Sequence, residues 1–181
     1  MQDISLHLLD IAENSIRAEA SFISITINES IYDDLLSLII EDNGEGMEPS
    51  FVAKATDPFV TTRTTRKIGL GLVLLKQNCL QAGGLLKINS KKGKGTKITA
   101  TMAYTNINRL VLGDIVSSLC LLIQSFPNIH LVYTHKYNDK QFIFDTNDVK
   151  KTLKNVPINN LEVLEGIRQF IDEKINEIRV N

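Results

Sequence analysis

Two short segments near the start of the chain carry side chains that could bind a nucleotide. Asp10 and Asn14 lie four residues apart in a segment with helical spacing, so both project from one face of the predicted helix. Further along, Asp42 is followed by Gly44 and Gly46 in a D-x-G-x-G turn. A carboxylate, an amide oxygen that can bind a metal and a glycine-rich turn are what a nucleotide pocket requires.

Each of these side chains has a definite chemical use in such a pocket. A carboxylate at the end of a strand can accept hydrogen bonds from an amino group such as the exocyclic amine of adenine, which predicts this role for Asp42. The two glycines let the chain bend and let a ligand approach the backbone. Asn14 offers the neutral oxygen that Mg2+ accepts beside phosphate and water ligands. Asp10 could position or deprotonate a water near the metal-bound phosphate.

Taken singly, the same residues have simpler interpretations. The turn after Asp42 could be an ordinary connection from a strand to a loop. Asn14 could form local hydrogen bonds inside the helix, and Asp10 could be a solvated carboxylate. An unperturbed aspartate has a pKa of about 3.9, so Asp10 is a weak base unless it is desolvated.

A second glycine-rich segment, Gly69 to Leu72, opens a predicted helix. Free backbone N–H groups and the positive end of the helix dipole make such a start a site for phosphate. Arg63 and Lys67, in a polar loop over residues 57–68, could add positive charge, although a solvated basic loop is the simpler interpretation. The segment is not a Rossmann motif, because no strand precedes it and the third glycine is missing.

The wider pattern predicts which elements position these residues. Helical and alternating periodicities follow one another as α-β-β-α, the loop, and then α-β-β up to residue 104, where Thr96 begins the last strand. This order predicts an α/β fold, a two-layer sandwich of a mixed sheet with helices on one face. The pattern then changes, so we predict a domain over residues 1–105 and a small α/β appendage over residues 106–181.

Composition limits the classes of function. The chain has 181 residues, 43% of them hydrophobic, and a net charge of −1. A packed core is expected, whereas nucleic acid and membranes are not expected partners. Cys79 and Cys120 lie far apart and are expected to be reduced thiols. The N-terminus lacks a signal peptide pattern, so we expect a cytoplasmic protein.

Together and in this order, the segments resemble the ATP-binding domain of the GHKL superfamily, which includes type II topoisomerases, heat-shock chaperones, sensor histidine kinases and mismatch-repair ATPases. The N box of that superfamily resembles Asp10 to Ala18, and the first glycine box resembles Asp42 to Gly46. The second and third glycine boxes resemble Gly69 to Leu72 and Gly93 to Thr96. The resemblance covers residues 3–104 and implies the Bergerat fold.

The resemblance also implies a ligand set. ATP and Mg2+ are the expected ligands, with Asn14 on the metal, Asp42 on adenine and Asp10 in the catalytic position. The Pro58 to Arg63 stretch resembles the lid of histidine kinases. The full set of expected ATP-binding residues is Asn14, Asp42, Gly44, Gly46, Met47, Thr61, Thr62, Arg63, Lys67, Gly69, Leu70, Gly71, Leu72 and Thr96.

Two departures from the superfamily pattern leave the activity open. Hydrolysing relatives usually carry Glu at the position of Asp10, and sensor kinases carry Asn there. No phosphoacceptor helix precedes the N box, so we do not expect a self-sufficient sensor kinase. Three functions remain: a kinase acting in trans on a serine or histidine of a protein partner, an ATPase switch, and a module that binds ATP without chemistry. A homodimer is compatible with the sequence.

Overall fold

A computed structural model describes residues 3–52, 54–56 and 71–180 of the chain. Six helices and six strands are present in these ranges. In chain order they are α1 (Ile4–Arg17), β1 (Phe22–Ser30), β2 (Leu35–Asp42), α2 (Pro49–Val52), α3 (Gly71–Gln81), β3 (Leu86–Lys91), β4 (Gly95–Ala103), α4 (Ile115–Ser125), β5 (His130–Tyr137), β6 (Lys140–Asp145), α5 (Thr146–Leu153) and α6 (Leu161–Arg179).

The strands form one mixed sheet in the order β3-β4-β2-β1-β5-β6. Neighbouring strands are antiparallel except β1 and β5, which run parallel with Phe22 opposite His130. The predicted mixed sheet is therefore confirmed. Because β2 is paired to β1 on one side and β4 on the other, Asp42 lies opposite both Ile23 and Thr96.

The hydrophobic core lies on one face of this sheet. Burial alternates along β1, where Ile23, Ile25 and Ile27 are buried and the residues between them are partly exposed. Alternate side chains of a strand point to opposite faces, so one face carries the core. Buried side chains of α1, α3, α4 and α6 join the same apolar cluster, as expected for helices packed on one face of a sheet.

Residues 106–181 contribute to the same sheet and the same core. Their strands β5 and β6 extend the sheet beyond β1, and α4 packs against α1. The connecting segment also bonds to the start of α1, because the N–H groups of Ile4 and Ser5 donate to the carbonyls of Val111 and Leu112, each at 2.9 Å. The division into domains over residues 1–105 and 106–181 stays a prediction.

None of the helices within residues 3–52 and 71–180 combines the length and the apolar character needed to cross a membrane.

Candidate nucleotide site

The Asp42 carboxylate, at the end of β2, is 8% exposed and is held by three neutral donors. Ser15 Oγ donates to Oδ2 at 2.6 Å, and the backbone N–H groups of Gly44 and Thr96 donate to Oδ1 at 2.9 and 3.3 Å. Each carboxylate oxygen has two lone-pair positions. These contacts leave one acceptor position on Oδ2, which suits an amino group of a ligand.

Ser15 is a site residue that the sequence analysis missed. It is 4% exposed on the core side of α1, and its Oγ lies 2.6 Å from Asp42 Oδ2 and 3.3 Å from the Ile11 carbonyl. The hydroxyl has one proton to donate, and the shorter contact is the one to Asp42. The available signal was a serine in the apolar stripe of a helix, four residues after Ile11, because a buried hydroxyl needs a partner. Through Ser15, α1 is bonded directly to the end of β2.

The glycines of the turn bring three backbone segments together. A Cβ on Gly46, whose φ is +66°, would lie 2.2 Å from the Lys91 carbonyl oxygen, and one on Gly95, whose φ is +87°, would lie 1.9 Å from the Asp42 carbonyl oxygen. Glu45 N–H donates to the Ala18 carbonyl at 2.8 Å. The positive φ values and these close approaches require glycine. In the described residues, Gly46 thus packs against the backbone of the β3–β4 turn, and Gly95 of that turn packs against the backbone at the end of β2.

Ser90 is the second residue that the sequence analysis missed. It lies opposite Thr96 in the β3–β4 pair, and the two hydroxyl oxygens are 2.8 Å apart. The Met47 N–H also donates to Ser90 Oγ at 2.8 Å. Met47 and Thr96, both predicted ATP-binding residues, are therefore linked through one serine. No local pattern marks Ser90, since it is an ordinary polar residue on an edge strand.

A groove of about 600 Å³ opens beside this cluster. Asp42 and Thr96 line it together with Pro49 and Val52 of α2 and residues of the β3–β4 hairpin. Volumes of this size are typical of small-molecule sites. The hairpin also places Lys91, Lys94 and Lys97 along the groove, with Lys97 paired to Glu41 at 3.0 Å.

Asp10 and Asn14 lie one helical turn apart on α1, as predicted. Asn14 Nδ2 donates to Asp10 Oδ2 at 3.5 Å, and Asn14 Oδ1 accepts from Arg17 Nη1 at 3.0 Å. Burial raises the pKa of the Asp10 carboxyl above its usual value, against the opposing charge of Arg17. A carboxylate with a raised pKa is a better base than a solvated one.

The Asn14 oxygen has the chemistry that Mg2+ requires. The orientation of the Asn14 amide is fixed by Arg17 and Asp10. The amide oxygen must face the Arg17 guanidinium, which can only donate, and the amide nitrogen must face the Asp10 carboxylate, which can only accept. Arg17 also pairs with Glu13 at 2.9 Å, and its side chain is 62% exposed. Because it is exposed, this side chain can move away from the Asn14 oxygen. In the described residues there is no cluster of three or more His, Cys, Asp or Glu residues suited to a metal. One protein oxygen is enough for a magnesium ion whose other ligands are phosphate and water.

The second predicted glycine segment is described only in part. Gly71 and Leu72 are buried at the start of α3, which packs beside α1. The other predicted residues of the lid and of this segment lie outside the described residues, and their roles stay predictions: Thr61, Thr62, Arg63, Lys67, Gly69 and Leu70.

Residues 2–106 match the profile described as histidine kinase-, DNA gyrase B-, and HSP90-like ATPase. This range includes α1, the D-x-G-x-G turn and the β3–β4 hairpin, and so contains every residue of the site described above.

Similar curated proteins include sensor kinases. A protein named as an NtrY-like sensor histidine kinase from Rickettsia conorii is 34% identical over 99 residues, which are 54% of this chain and 16% of that protein. One named as a C4-dicarboxylate sensor kinase from Bacillus subtilis is 33% identical over 103 residues, covering 54% of this chain and 19% of that protein. The chain thus spans a small part of the length of these relatives.

Similar solved structures include the MutL ATPase domain of Aquifex aeolicus in complex with ADP. The TM-score is 0.50 at 14% identity, and the match covers 78% of this chain and 64% of that one. At this identity the likeness concerns the fold, and it confirms the predicted two-layer α/β sandwich.

Proposed function

Because this chain belongs to the histidine kinase-, DNA gyrase B- and HSP90-like ATPase family, we propose that it is a magnesium-dependent ATPase switch that controls a protein partner. The observation that carries the proposal is the position of Asp10. Burial raises the pKa of this carboxyl, and it lies one turn from Asn14 on a helix that Ser15 joins to Asp42. A partly desolvated base, a metal ligand and an adenine-binding acid thus share one rigid framework.

Binding of ATP follows from the groove beside β2. The adenine amine donates to the free acceptor position of Asp42 Oδ2, while Ser15, Gly44 and Thr96 hold the carboxylate in place. Three donors that are already engaged fix the position of the carboxylate before the ligand arrives. This preorganisation lowers the entropy cost of binding.

Asn14 Oδ1 would be the protein ligand for Mg2+, and Arg17, which now donates to that oxygen, would have to leave it. The metal neutralises phosphate charge and orients the phosphates when bound. Released from Asn14, the Arg17 guanidinium can stay with Glu13 or turn to the phosphates, since both are acceptors that suit it.

Asp10 is the general base that takes a proton from the attacking water. Its carboxylate is one methylene shorter than the glutamate usual in hydrolysing relatives, so it reaches less far from α1. Slow turnover follows from this shorter reach, and slow turnover suits a switch, because the ATP-bound state then lasts long enough for a partner to respond.

A second function, phosphoryl transfer to a serine or histidine of a protein partner, is favoured by the relatives. The two sensor kinases named above are 34% and 33% identical to this chain, each over 54% of its length. In that reaction a partner hydroxyl or imidazole takes the place of water, and the same pocket and metal serve.

One experiment separates these functions. The full chain is incubated with Mg2+ and γ-labelled ATP, with and without cell extract, and both free phosphate and protein-bound label are followed. We expect slow phosphate release that falls by roughly 100-fold or more in Asp10→Asn, because general-base catalysis contributes about 100- to 10,000-fold. The dissociation constant for ATP should stay within about twofold, since the amide keeps the size of the carboxyl.

Asp10→Glu is the matched variant, because it keeps the base and lengthens its reach. Release by Asp10→Glu at or above the wild-type rate supports the base assignment. Equal release by Asp10→Asn and wild type would contradict it. Label on a partner protein in extract, without phosphate release, would make the chain a kinase, and intact ATP in every sample would leave a module that only binds.

A further inference from the structure

The two edges of the sheet differ in how they are protected from pairing with another strand. β3, at one edge, exposes Lys87 and Lys91, and charged lysines on an edge discourage strand addition. β6, at the other edge, carries the sequence Lys-Gln-Phe-Ile-Phe-Asp, in which three consecutive residues are large and apolar. The centre of β6 therefore lacks the charged residues that protect β3 from strand addition.

The register of β5 and β6 determines which backbone groups of β6 point outward. A two-residue turn joins the strands, with Tyr137 opposite Lys140 and His135 opposite Phe142. In an antiparallel pair closed by such a turn, hydrogen-bonded pairs alternate with unbonded ones, starting from the pair at the turn. The N–H and C=O groups of Gln141 and Ile143 and the N–H of Asp145 thus point away from β5, where the sheet within the described residues ends. The Asp145 C=O accepts the first hydrogen bond of α5, since Asp145 caps that helix.

Apolar side chains lie on both faces of this edge. Ile143 is 55% exposed on the face away from the core. On the core face, Phe142 packs edge-to-face against Phe170 of α6, which is itself 45% exposed, with ring centroids 5.7 Å apart. Outward backbone groups flanked by apolar side chains on both faces are the features of a strand that pairs with another strand.

We propose that β6 pairs with β6 of a second copy of this chain in an antiparallel arrangement around a two-fold axis at Ile143. Only residues of odd number present free bonding groups, so the bonded pairs must join odd residues. Placing Ile143 opposite Ile143 of the second copy puts Gln141 opposite Asp145 at both ends. Asp145 Oδ1 already accepts from the Asn147 N–H at 2.7 Å and lies 2.9 Å from His130 Nε2, so the amide donates to Oδ2. The isoleucines meet at the centre.

The sequence of β6 favours a second copy over another partner because it is complementary to itself in this register alone. A shift by two residues would place Ile143 against Gln141 or Asp145 and lose both amide–carboxylate contacts. On the core face, the same register sets Phe142 opposite Phe144 of the second copy, an aromatic cross-strand pair. A closed two-fold dimer buries the same surface on both copies.

The dimer leaves the nucleotide sites open. β6 is separated from β2 by β1 and β5, three strand spacings or about 14 Å. The groove beside Asp42 lies still further along, toward β3 and β4. The two grooves would face outward at opposite ends of one continuous sheet.

Sedimentation velocity of the full chain over a concentration series tests the association. We expect a dimer at tens of micromolar and a monomer for Ile143→Lys, whose charges would meet at the axis. At a concentration low enough for the wild type to be monomeric, the two chains should have the same unfolding midpoint. Leu161→Lys is the matched control, since Leu161 is 74% exposed at the start of α6, and this variant should stay dimeric. A wild-type chain that stays monomeric throughout, or an Ile143→Lys variant that stays dimeric, would overturn the proposal.

Cysteine cross-linking tests the register. In a Cys120→Ser background, Ile143→Cys should form a disulfide-linked dimer in oxidised glutathione, since paired Cα atoms about 5.5 Å apart are within disulfide reach. Gln141→Cys should not, because its two copies would be about 13 Å apart. Cys79 is fully buried, and burial raises its pKa to about 11, so it does not compete. Equal cross-linking of the two variants, or none by Ile143→Cys, would contradict the register.

Discussion

Two buried carboxylates lie at opposite ends of the β1–β2 pair and are held in different ways. Asp42 ends β2 opposite Ile23, and Glu29 lies near the end of β1 opposite Leu36. Glu29 Oε1 accepts from His135 Nε2 at 2.8 Å and from Arg179 Nε at 3.0 Å. Asp42 accepts only from a hydroxyl and two backbone N–H groups among the described residues.

The difference separates a structural acid from an acid that can take a ligand. Glu29 is 4% exposed and joins β1 to β5 and to the end of α6, with a guanidinium that balances its charge. Burial acts to raise the pKa of Glu29, but the hydrogen bonds from His135 and Arg179 outweigh burial and hold it below its usual value. Asp42 has no cationic partner in the described residues and keeps an acceptor position free. Both are buried acids, so burial alone does not identify the site.

Glu29→Gln tests whether Glu29 is a structural acid. Removing one partner of a buried ion pair leaves the other without compensation, and such losses are about 3–5 kcal/mol. Arg179 is one-third exposed, so we expect a smaller loss of about 2–4 kcal/mol in the free energy of unfolding. Urea unfolding measures it, and titration with ATP should give a wild-type affinity.

The matched control for this variant is Glu177→Gln on the same helix as Arg179. Glu177 pairs with Lys174 at 2.7 Å but is 60% exposed, so its loss should change the free energy of unfolding by less than about 0.5 kcal/mol. Weakened ATP binding by Glu29→Gln would show that Glu29 and the nucleotide site are coupled. It would contradict the assignment of a purely structural role to Glu29.

Asp42→Asn tests whether Asp42 binds the adenine amine. The Gly44 and Thr96 N–H groups require an acceptor, so the amide oxygen must face them and the amide nitrogen must take the place of Oδ2. The adenine amine would then meet a donor. We expect ATP affinity to fall at least about 100-fold, or about 2.7 kcal/mol. Isothermal titration measures the affinity.

Asp148→Asn serves as the control for this change, because Asp148 is 73% exposed on α5 in a pair with Lys151. It should bind ATP as wild type does. If Asp42→Asn also binds ATP normally, adenine is not recognised by Asp42. Loss of fold is excluded by comparing the unfolding midpoints of the two variants without ligand.

Much of the arrangement around Asp42 can be predicted from the sequence, because it depends on local sequence patterns. The four-residue spacing of Asp10 and Asn14 and the turn after Asp42 are read directly from the chain, and the structure places Gly44, Gly46 and Thr96 around Asp42. The roles of Ser15 and Ser90 cannot be predicted from local patterns. Their roles depend on the packing of α1 against β2 and on the β3–β4 register, and a single serine has no signature of its own.

The partners of Glu29 are harder to predict from the sequence. Glu29 meets His135 because β5 adds to β1 in parallel, across a connection that includes β2, the glycine segments and α4. Local periodicity marks strands but does not choose their partners, and parallel pairing needs long connections. Arg179 joins from the last turn of α6. The change in pattern after residue 104 predicts an appendage but does not predict that β5 and β6 extend the same sheet.

His7 and Glu29 should affect the pH dependence of stability in different ways. His7 is 1% exposed on α1, and its Nε2 lies 3.4 Å from Asn78 Nδ2 on α3, which places it in the nucleotide half. Its Nδ1 has no partner among the described residues. Burial lowers the pKa of His7 from 6.5 to about 4. Glu29, with a lowered pKa, contributes stability that is lost only as pH falls below about 4.5, the usual value for a glutamate.

The two groups therefore act in different pH ranges. Between pH 6.5 and 4 the unfolded chain binds a proton at His7 that the folded chain does not, so the contribution of His7 is complete above pH 6.5 and falls as pH decreases. We expect the free energy of unfolding to drop by about 2–3 kcal/mol across this range, measured by urea unfolding at each pH. His7→Gln should remove this slope and keep the loss below pH 4.5. An unchanged slope in His7→Gln would mean that another group titrates on folding, and the assignment of this pH range to the α1–α3 contact would be wrong.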